Sequence, residues 1–170
     1  MLPKKQSSNP CSFSYFDSVI GTIFVISTPS GVSKVVFGEY DFDRFLGGLN
    51  GTKLLEGRES EHGADEIRLY LERKVRDFKS KLDLSSGTPF QISVWNELLK
   101  IPYGNVNTYG EIADRVGTPN AARAVGNAVG ANPIPIIVPC HRVVGVNGLG
   151  GYSAGIEIKE KLLQIEGALP

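Results

Sequence analysis

The chain is poor in the residues that most often mark a functional site. Its 170 residues hold two cysteines, Cys11 and Cys140, two histidines, His62 and His141, one tryptophan and one methionine. Two cysteines are too few for a disulfide framework or a cysteine-rich zinc site, and the histidines complete no metal cluster by spacing, so no metal is expected. No apolar run is long enough to span a membrane. Met1-Leu2-Pro3-Lys4-Lys5 leads into polar residues rather than an apolar signal core, which gives the expectation of an intracellular, cytoplasmic protein with reduced thiols. Neither sign of charge is in excess: 18 basic residues face 18 acidic ones, with 12 against 12 in residues 1–85 and 6 against 6 in 86–170. Net charge therefore points to no nucleic-acid partner, and any such surface must be local.

What is present is patterned. Ser12 to Phe16 and Val19 to Ser27 are rich in aromatic and β-branched residues and predict a strand pair around Asp17-Ser18. Pro29-Ser30-Gly31 is a turn before a third strand, Val32 to Phe37. A loose arm is expected over 1–11, a short helix over 41–49, a break at Asn50-Gly51 and a charged loop over 57–63 with His62 exposed. Ile67, Leu71, Val75, Phe78 and Leu82 recur at helical spacing and predict an amphipathic helix over 64–82. Its basic residues mix with Glu66, Glu72 and Asp77, the pattern of a solvated face. Leu84 to Gly87 reads as a linker.

The second half is denser in signals. Thr88-Pro89-Phe90-Gln91 and Thr108-Tyr109-Gly110-Glu111 are two capping boxes, each opening a helix. A third helix is expected over 119–131, close behind the second, as in a helix-turn-helix. It carries Arg123 as its one charge among alanines and glycines, a composition that allows close backbone approach to another surface. Three prolines between Asn132 and Pro139 exclude a helix and predict extended backbone leading to Cys140-His141-Arg142. A last helix over 155–166 is capped by Gly167, with Ile158, Leu162 and Ile165 facing the core. Glu166 opposes that helix's dipole, as a surface carboxylate or as one held there to orient a histidine. The residues alone leave Cys140 open between a buried structural thiol and a held nucleophile. A winged-helix DNA-binding module, a cysteine hydrolase using Cys140 and His141, and a group-transfer protein all fit at this point.

The motifs Pro139-Cys140-His141-Arg142-Val143, the lead-in Asn132-Pro133-Ile134-Pro135, Ala121-Ala122-Arg123-Ala124-Val125-Gly126, Tyr109, Tyr152-Ser153 and Glu166-Gly167 occur in one order. On these the sequence resembles the O6-alkylguanine-DNA alkyltransferases, over nearly all of residues 86–170 and only loosely before. The resemblance implies an α+β fold: an N-terminal β-rich domain of three-layer, RNase H-like type over 1–84, and a C-terminal, mostly α winged helix-turn-helix domain over 85–170. It implies irreversible transfer of the alkyl group of O6-alkylguanine, and of O4-alkylthymine, from double-stranded DNA to Cys140, once per molecule, by a monomer with no cofactor. His141 would act as base through a water with Glu166 behind it, and Asn132 would tie the Pro-rich segment to the preceding helix. Tyr109 would press on the phosphate beside the flipped nucleotide and reach its base. Ser153 would bond the guanine O6, the carbonyls of Cys140 and Val143 would accept the exocyclic amine, and Tyr152 with the glycine loop at Gly151 would wall the pocket. Arg123 would enter the duplex from a helix face of Ala122, Ala124 and Gly126, in the minor groove. Some relatives carry an N-terminal zinc site, which the cysteine and histidine count here does not support.

Overall fold

β2 (Gly21–Thr28) is apolar on both sides: Ile23 and Val25 point one way and Phe24 and Ile26 the other, and all four are buried. Such a strand needs cover on both faces, and it receives it. The computed structural model describes residues 11–49 and 54–169. β2 pairs antiparallel with β1 (Cys11–Ser18) and β3 (Gly31–Phe37), while β4 (Leu54–Glu56) adds parallel to β1, giving the order β3-β2-β1-β4. On one face Phe24, Ile26 and Val36 meet Phe42 of α1 (Glu39–Gly47), whose ring stacks on Phe24 at 4.0 Å. On the other, Phe16, Ile23 and Val25 meet Ile67, Tyr70 and Leu71 of α2 (Arg58–Leu71). The N-terminal part is thus a sheet between helices. The expected arm, apart from Cys11, and the Asn50-Gly51 break lie outside the described residues.

α2 corrects two expectations. The charged stretch 57–63 is its first half rather than a loop, and His62 sits exposed on it with Nε2 3.7 Å from Glu66 Oε1. The helix also stops at Leu71 instead of running to Leu82. Arg73 takes the left-handed conformation at φ 60°, and the Lys74 N–H returns to the Leu69 carbonyl at 2.8 Å, a closure more often built on glycine. The buried carboxylate of Glu66 then accepts the N–H groups of Lys79 (2.7 Å) and Ser80 (3.0 Å). These bonds hold 72–82 in irregular backbone, so that Leu82 reaches the sheet edge beside Val32.

In the C-terminal part α3 (Pro89–Leu98) and α4 (Tyr109–Arg115) begin on complete capping boxes at Thr88 and Thr108. α5 (Ala122–Gly130) starts later than expected, because Asn120 at φ 68° keeps 119–121 in a turn. Trp95 of α3 donates to the Ala128 carbonyl of α5 at 2.8 Å. A two-stranded parallel pair, β5 (Asn107–Thr108) and β6 (Val143–Val144), flanks the helices, and α6 (Ile156–Glu166) closes the chain on left-handed Gly167. One apolar cluster runs from Ile23 and Val25 through Ile67 and Tyr70 to Trp95, Ile134 and Leu162, so the sheet and the C-terminal helices share a core.

Gly87, expected in a linker, is packed rather than loose. A Cβ there would lie 2.3 Å from the buried ring of Trp95. Gly87→Ala is expected to cost about 1–3 kcal/mol through overpacking, measured by urea unfolding; an unchanged midpoint would contradict this packing.

Candidate active site

The Pro-rich segment is folded back on itself rather than extended. Pro133 is held to the sheet by Val35 N–H (2.9 Å), Val138 N–H returns to the Ile134 carbonyl (2.9 Å), and Ile136 is fully buried at φ 75°. A β-branched residue in that region is strained by about 1–3 kcal/mol and persists only where its surroundings impose it. Asn132 supplies part of that constraint, with Nδ2 donating to the Val138 carbonyl (2.8 Å) and Oδ1 accepting from Ile134 N–H (3.0 Å). The chain then makes one 3-10 turn, Cys140–Arg142, with all three side chains buried.

The thiol of Cys140 borders a cavity of about 300 Å³ lined by Tyr109, Gly126, Val129, Gly130, Gly151, Tyr152 and Ser153. A larger cleft of about 390 Å³ lies between β1 and α2, but its lining of Phe16, Asp17, Ser18, Val19, Arg68, Leu71 and Glu72 includes no thiol or imidazole. Gly150 stands at φ 71°, and a Cβ there would be 2.9 Å from Tyr109 Oη, so the glycine loop can pass close under the phenol. Burial pushes the Cys140 thiol pKa up, while Asn132, Tyr152 and the Lys159 ammonium pull the other way. Burial and Cys140 also raise the phenols of Tyr109 and Tyr152. The Tyr152 hydroxyl is buried facing the thiol without completing a well-formed hydrogen bond.

Behind the thiol lies a buried polar cluster. Glu166 Oε1 accepts from the Tyr70 hydroxyl, from His141 Nε2 (2.6 Å) and from Arg142 Nε (3.0 Å), while Oε2 accepts from Gly104 N–H (2.8 Å). Arg142 Nη1 continues to the Ile101 carbonyl at 2.5 Å. With Nε2 against a carboxylate, Nε2 carries the imidazole proton and Nδ1 is the basic atom. His141 Nδ1 is buried with no hydrogen-bond partner among the described residues. Burial lowers the His141 pKa against the opposing pull of Glu166, so the ring is neutral near pH 7. Burial likewise works against the Glu166 charge, yet His141, Arg142 and Tyr70 hold its carboxyl down at about 2.

The structure brings Cys140, Tyr109, Tyr152, Ser153, Gly151 and Gly126 around one cavity, with His141 and Glu166 in contact behind Cys140 and Asn132 clamping the segment before it. Arg123 and Ala124 are exposed and Ala122 is partly so, opposite the buried Val125, Ala128 and Val129 of α5. The carbonyls of Cys140 and Val143 already accept one donor each, Val143 N–H and Lys159 Nζ, which leaves each a second lone pair. Sequence reasoning missed two members. Tyr70 follows Ile67 at helical spacing on α2. Lys159 is fully buried, its ammonium on the carbonyls of Val143 (2.6 Å), Leu149 (2.5 Å) and Gly151 (3.3 Å), and burial lowers its pKa to about 8. On α6 the expected Ile158, Leu162 and Ile165 do pack on the core, but the fully buried face is Lys159, Leu162, Leu163 and Glu166. The spacing i, i+3, i+4, i+7 would have revealed it had charged residues been counted.

Fold and site together define an α+β protein with a buried thiol, backed by an imidazole–carboxylate pair, opening beside a helix-turn-helix. Residues 89–168 match the family described as 6-O-methylguanine DNA methyltransferase, DNA binding domain. The methylated-DNA–protein-cysteine methyltransferase of Methanosarcina acetivorans is 41% identical over 165 residues, spanning 92% of this chain and 98% of that protein. The inducible enzyme of the same name from Bacillus subtilis is 44% identical over 148 residues, 86% of this chain and 79% of that one. The crystal structure of Mycobacterium tuberculosis OGT in complex with DNA superposes with a TM-score of 0.79 at 40% identity, covering 91% and 92% of the two chains. The chain belongs to the methylated-DNA–protein-cysteine methyltransferase family.

The Glu166 cluster has a signature in acid. A carboxyl held below its ordinary 4.5 contributes stability above that pH, lost as pH falls from about 4.5 towards about 2. Glu166→Gln should be less stable at neutral pH by about 3–5 kcal/mol, since Arg142 is left without its counter-charge. In acid unfolding followed by circular dichroism, the variant should lack the wild-type loss in that window; parallel curves would contradict the assignment.

Proposed function

We propose that this protein repairs DNA by moving the alkyl group of O6-alkylguanine, and of O4-alkylthymine, onto Sγ of Cys140, once per molecule and without a cofactor. The observation that carries the reading is the cavity with Cys140 on its wall and, beside it, the buried His141 held by Glu166 at Nε2, its Nδ1 without a partner among the described residues. Family membership supports the same chemistry. The division into an N-terminal unit, 1–84, and a C-terminal unit, 85–170, belongs to this proposal, with the second carrying the nucleophile and the DNA surface.

The mechanism follows from the groups present. A buried thiol with a raised pKa is a poor nucleophile until its proton is removed. His141 Nδ1 takes that proton through one water, and Glu166 stabilises the imidazolium formed on Nε2–H. Sγ attacks the alkyl carbon in line, the S–C bond forms as the C–O6 bond breaks, and the electron pair goes to the guanine O6. Tyr109 and Ser153 donate to that oxygen, and the proton that His141 took from the thiol passes to the guanine, so a neutral guanine leaves and His141 returns to its neutral form. The product is a thioether that no group in the cavity can hydrolyse. The second lone pairs of the Cys140 and Val143 carbonyls are free to accept the exocyclic amine, while Tyr152 and Gly151 bound the base.

To reach the cavity the nucleotide must leave the stack. Arg123 is the long side chain on the exposed face of α5, and Ala122, Ala124 and Gly126 let the helix approach closely. A single basic probe on a small-residue face suits the narrow minor groove and sequence-independent binding by a monomer. With excess O6-methylguanine duplex, lesion removal is expected to stop at one per protein, and Arg123→Ala to reach the same endpoint more slowly. Removal continuing beyond one per protein would replace transfer with hydrolysis.

A further inference from the structure

Tyr70 comes from α2, in the N-terminal part of the chain, yet its hydroxyl lies in the cluster behind the nucleophile. The side chain is fully buried. Its ring packs edge-on against Tyr103 at 5.8 Å and tilted against Phe78 at 5.2 Å, contacts that a phenylalanine would make equally well. The hydroxyl is the excess over packing. It donates to Glu166 Oε1, the oxygen that also receives His141 Nε2, and it stands 3.2 Å from that same nitrogen. We propose that Tyr70 is a positioning residue of the transfer reaction, whose hydroxyl limits the basicity of His141 by sharing the Glu166 carboxylate that holds Nε2–H.

The effect is electrostatic. Every donor on Oε1 draws off charge that would otherwise stabilise an imidazolium. The groups facing His141 are Tyr70 from α2, Arg142 from its own turn, Glu166 and Lys159 from α6, and Cys140. Arg142 and Lys159 oppose a proton on the ring and Glu166 favours it, while the Tyr70 hydroxyl helps to hold Glu166 charged and takes a share of the oxygen that His141 uses. Burial and Glu166 raise the Tyr70 phenol pKa, so its proton stays in place and it acts only as a donor. A histidine that must be neutral to accept the thiol proton benefits from this brake. The N-terminal part then contributes a group to the site, which gives a chemical reason for the core shared across residue 85.

This inference rests on the transfer reading above. The test is the pH–rate profile of single-turnover transfer from an O6-methylguanine duplex, for wild type, Tyr70→Phe and Tyr103→Phe. Tyr103 loses a hydroxyl bond to the Ile165 carbonyl (3.0 Å) and touches neither Glu166 nor His141, so it is the matched control. In Tyr70→Phe the acid limb should move to higher pH by about one unit, the scale of one hydrogen bond to a charged group, with the plateau rate within about twofold. Tyr103→Phe should leave the limb in place. A Tyr70→Phe limb that stays put or moves down overturns the proposal, as does an equal shift in both variants. A second readout needs no variant: nitrogen chemical shifts of wild-type His141 at neutral pH should report a protonated Nε2 and a bare Nδ1, and the opposite tautomer overturns the proposal. Wild type that transfers nothing at any pH would instead sink the transfer reading itself.

Discussion

One buried carboxylate holds this molecule's site together. Glu166 gathers the Tyr70 hydroxyl from α2, the imidazole and guanidinium of the 3-10 turn, and the Gly104 N–H from the loop after α3. Burying that charge alone would cost several kcal/mol, and it is tolerated because both oxygens are fully engaged. The same bonds fix four separate pieces of chain. Stability and site geometry are therefore one constraint here, and a residue at the unfavourable end of a helix dipole has its reason in the cluster it serves.

Ahead of that cluster the thiol sits in tension. Burial disfavours the thiolate, and the Lys159 ammonium, Asn132 and Tyr152 offset only part of the penalty. The protonated thiol is thus the favoured form of Cys140. Lys159 also acts structurally. By bonding the Val143, Leu149 and Gly151 carbonyls it stitches the glycine loop to the turn that carries the thiol. The strained Ile136 and the Asn132 clamp set the direction from which that turn enters the site.

Much of this was legible in the sequence where the signal is local. The capping boxes at Thr88 and Thr108 and the Gly167 stop mark helix ends by their own side chains or backbone freedom, and β2 announced itself by unbroken apolar character. Where ends are made by distant partners, the reading failed. α2 ends on a left-handed arginine and a buried Glu66 that accepts from residues thirteen and fourteen positions on. The Pro-rich segment read as extended because prolines exclude helix, whereas its fold-back depends on the Asn132 side chain. Family motifs reached Cys140, Tyr109, Tyr152, Ser153 and Glu166, which lie together or one contact away. Tyr70 and Lys159 escaped because periodicity counts apolar residues, and both are polar groups on buried faces.

The central claim is that Cys140, and no other group, keeps the alkyl carbon. Its most direct test is to react the full chain with duplex DNA carrying O6-methylguanine, digest it and locate the added methyl by mass spectrometry. The account predicts the methyl on the peptide containing Cys140 and an unchanged peptide containing Cys11. A lesion that disappears while Cys140 remains a free thiol, or a methyl found on Cys11, would contradict it.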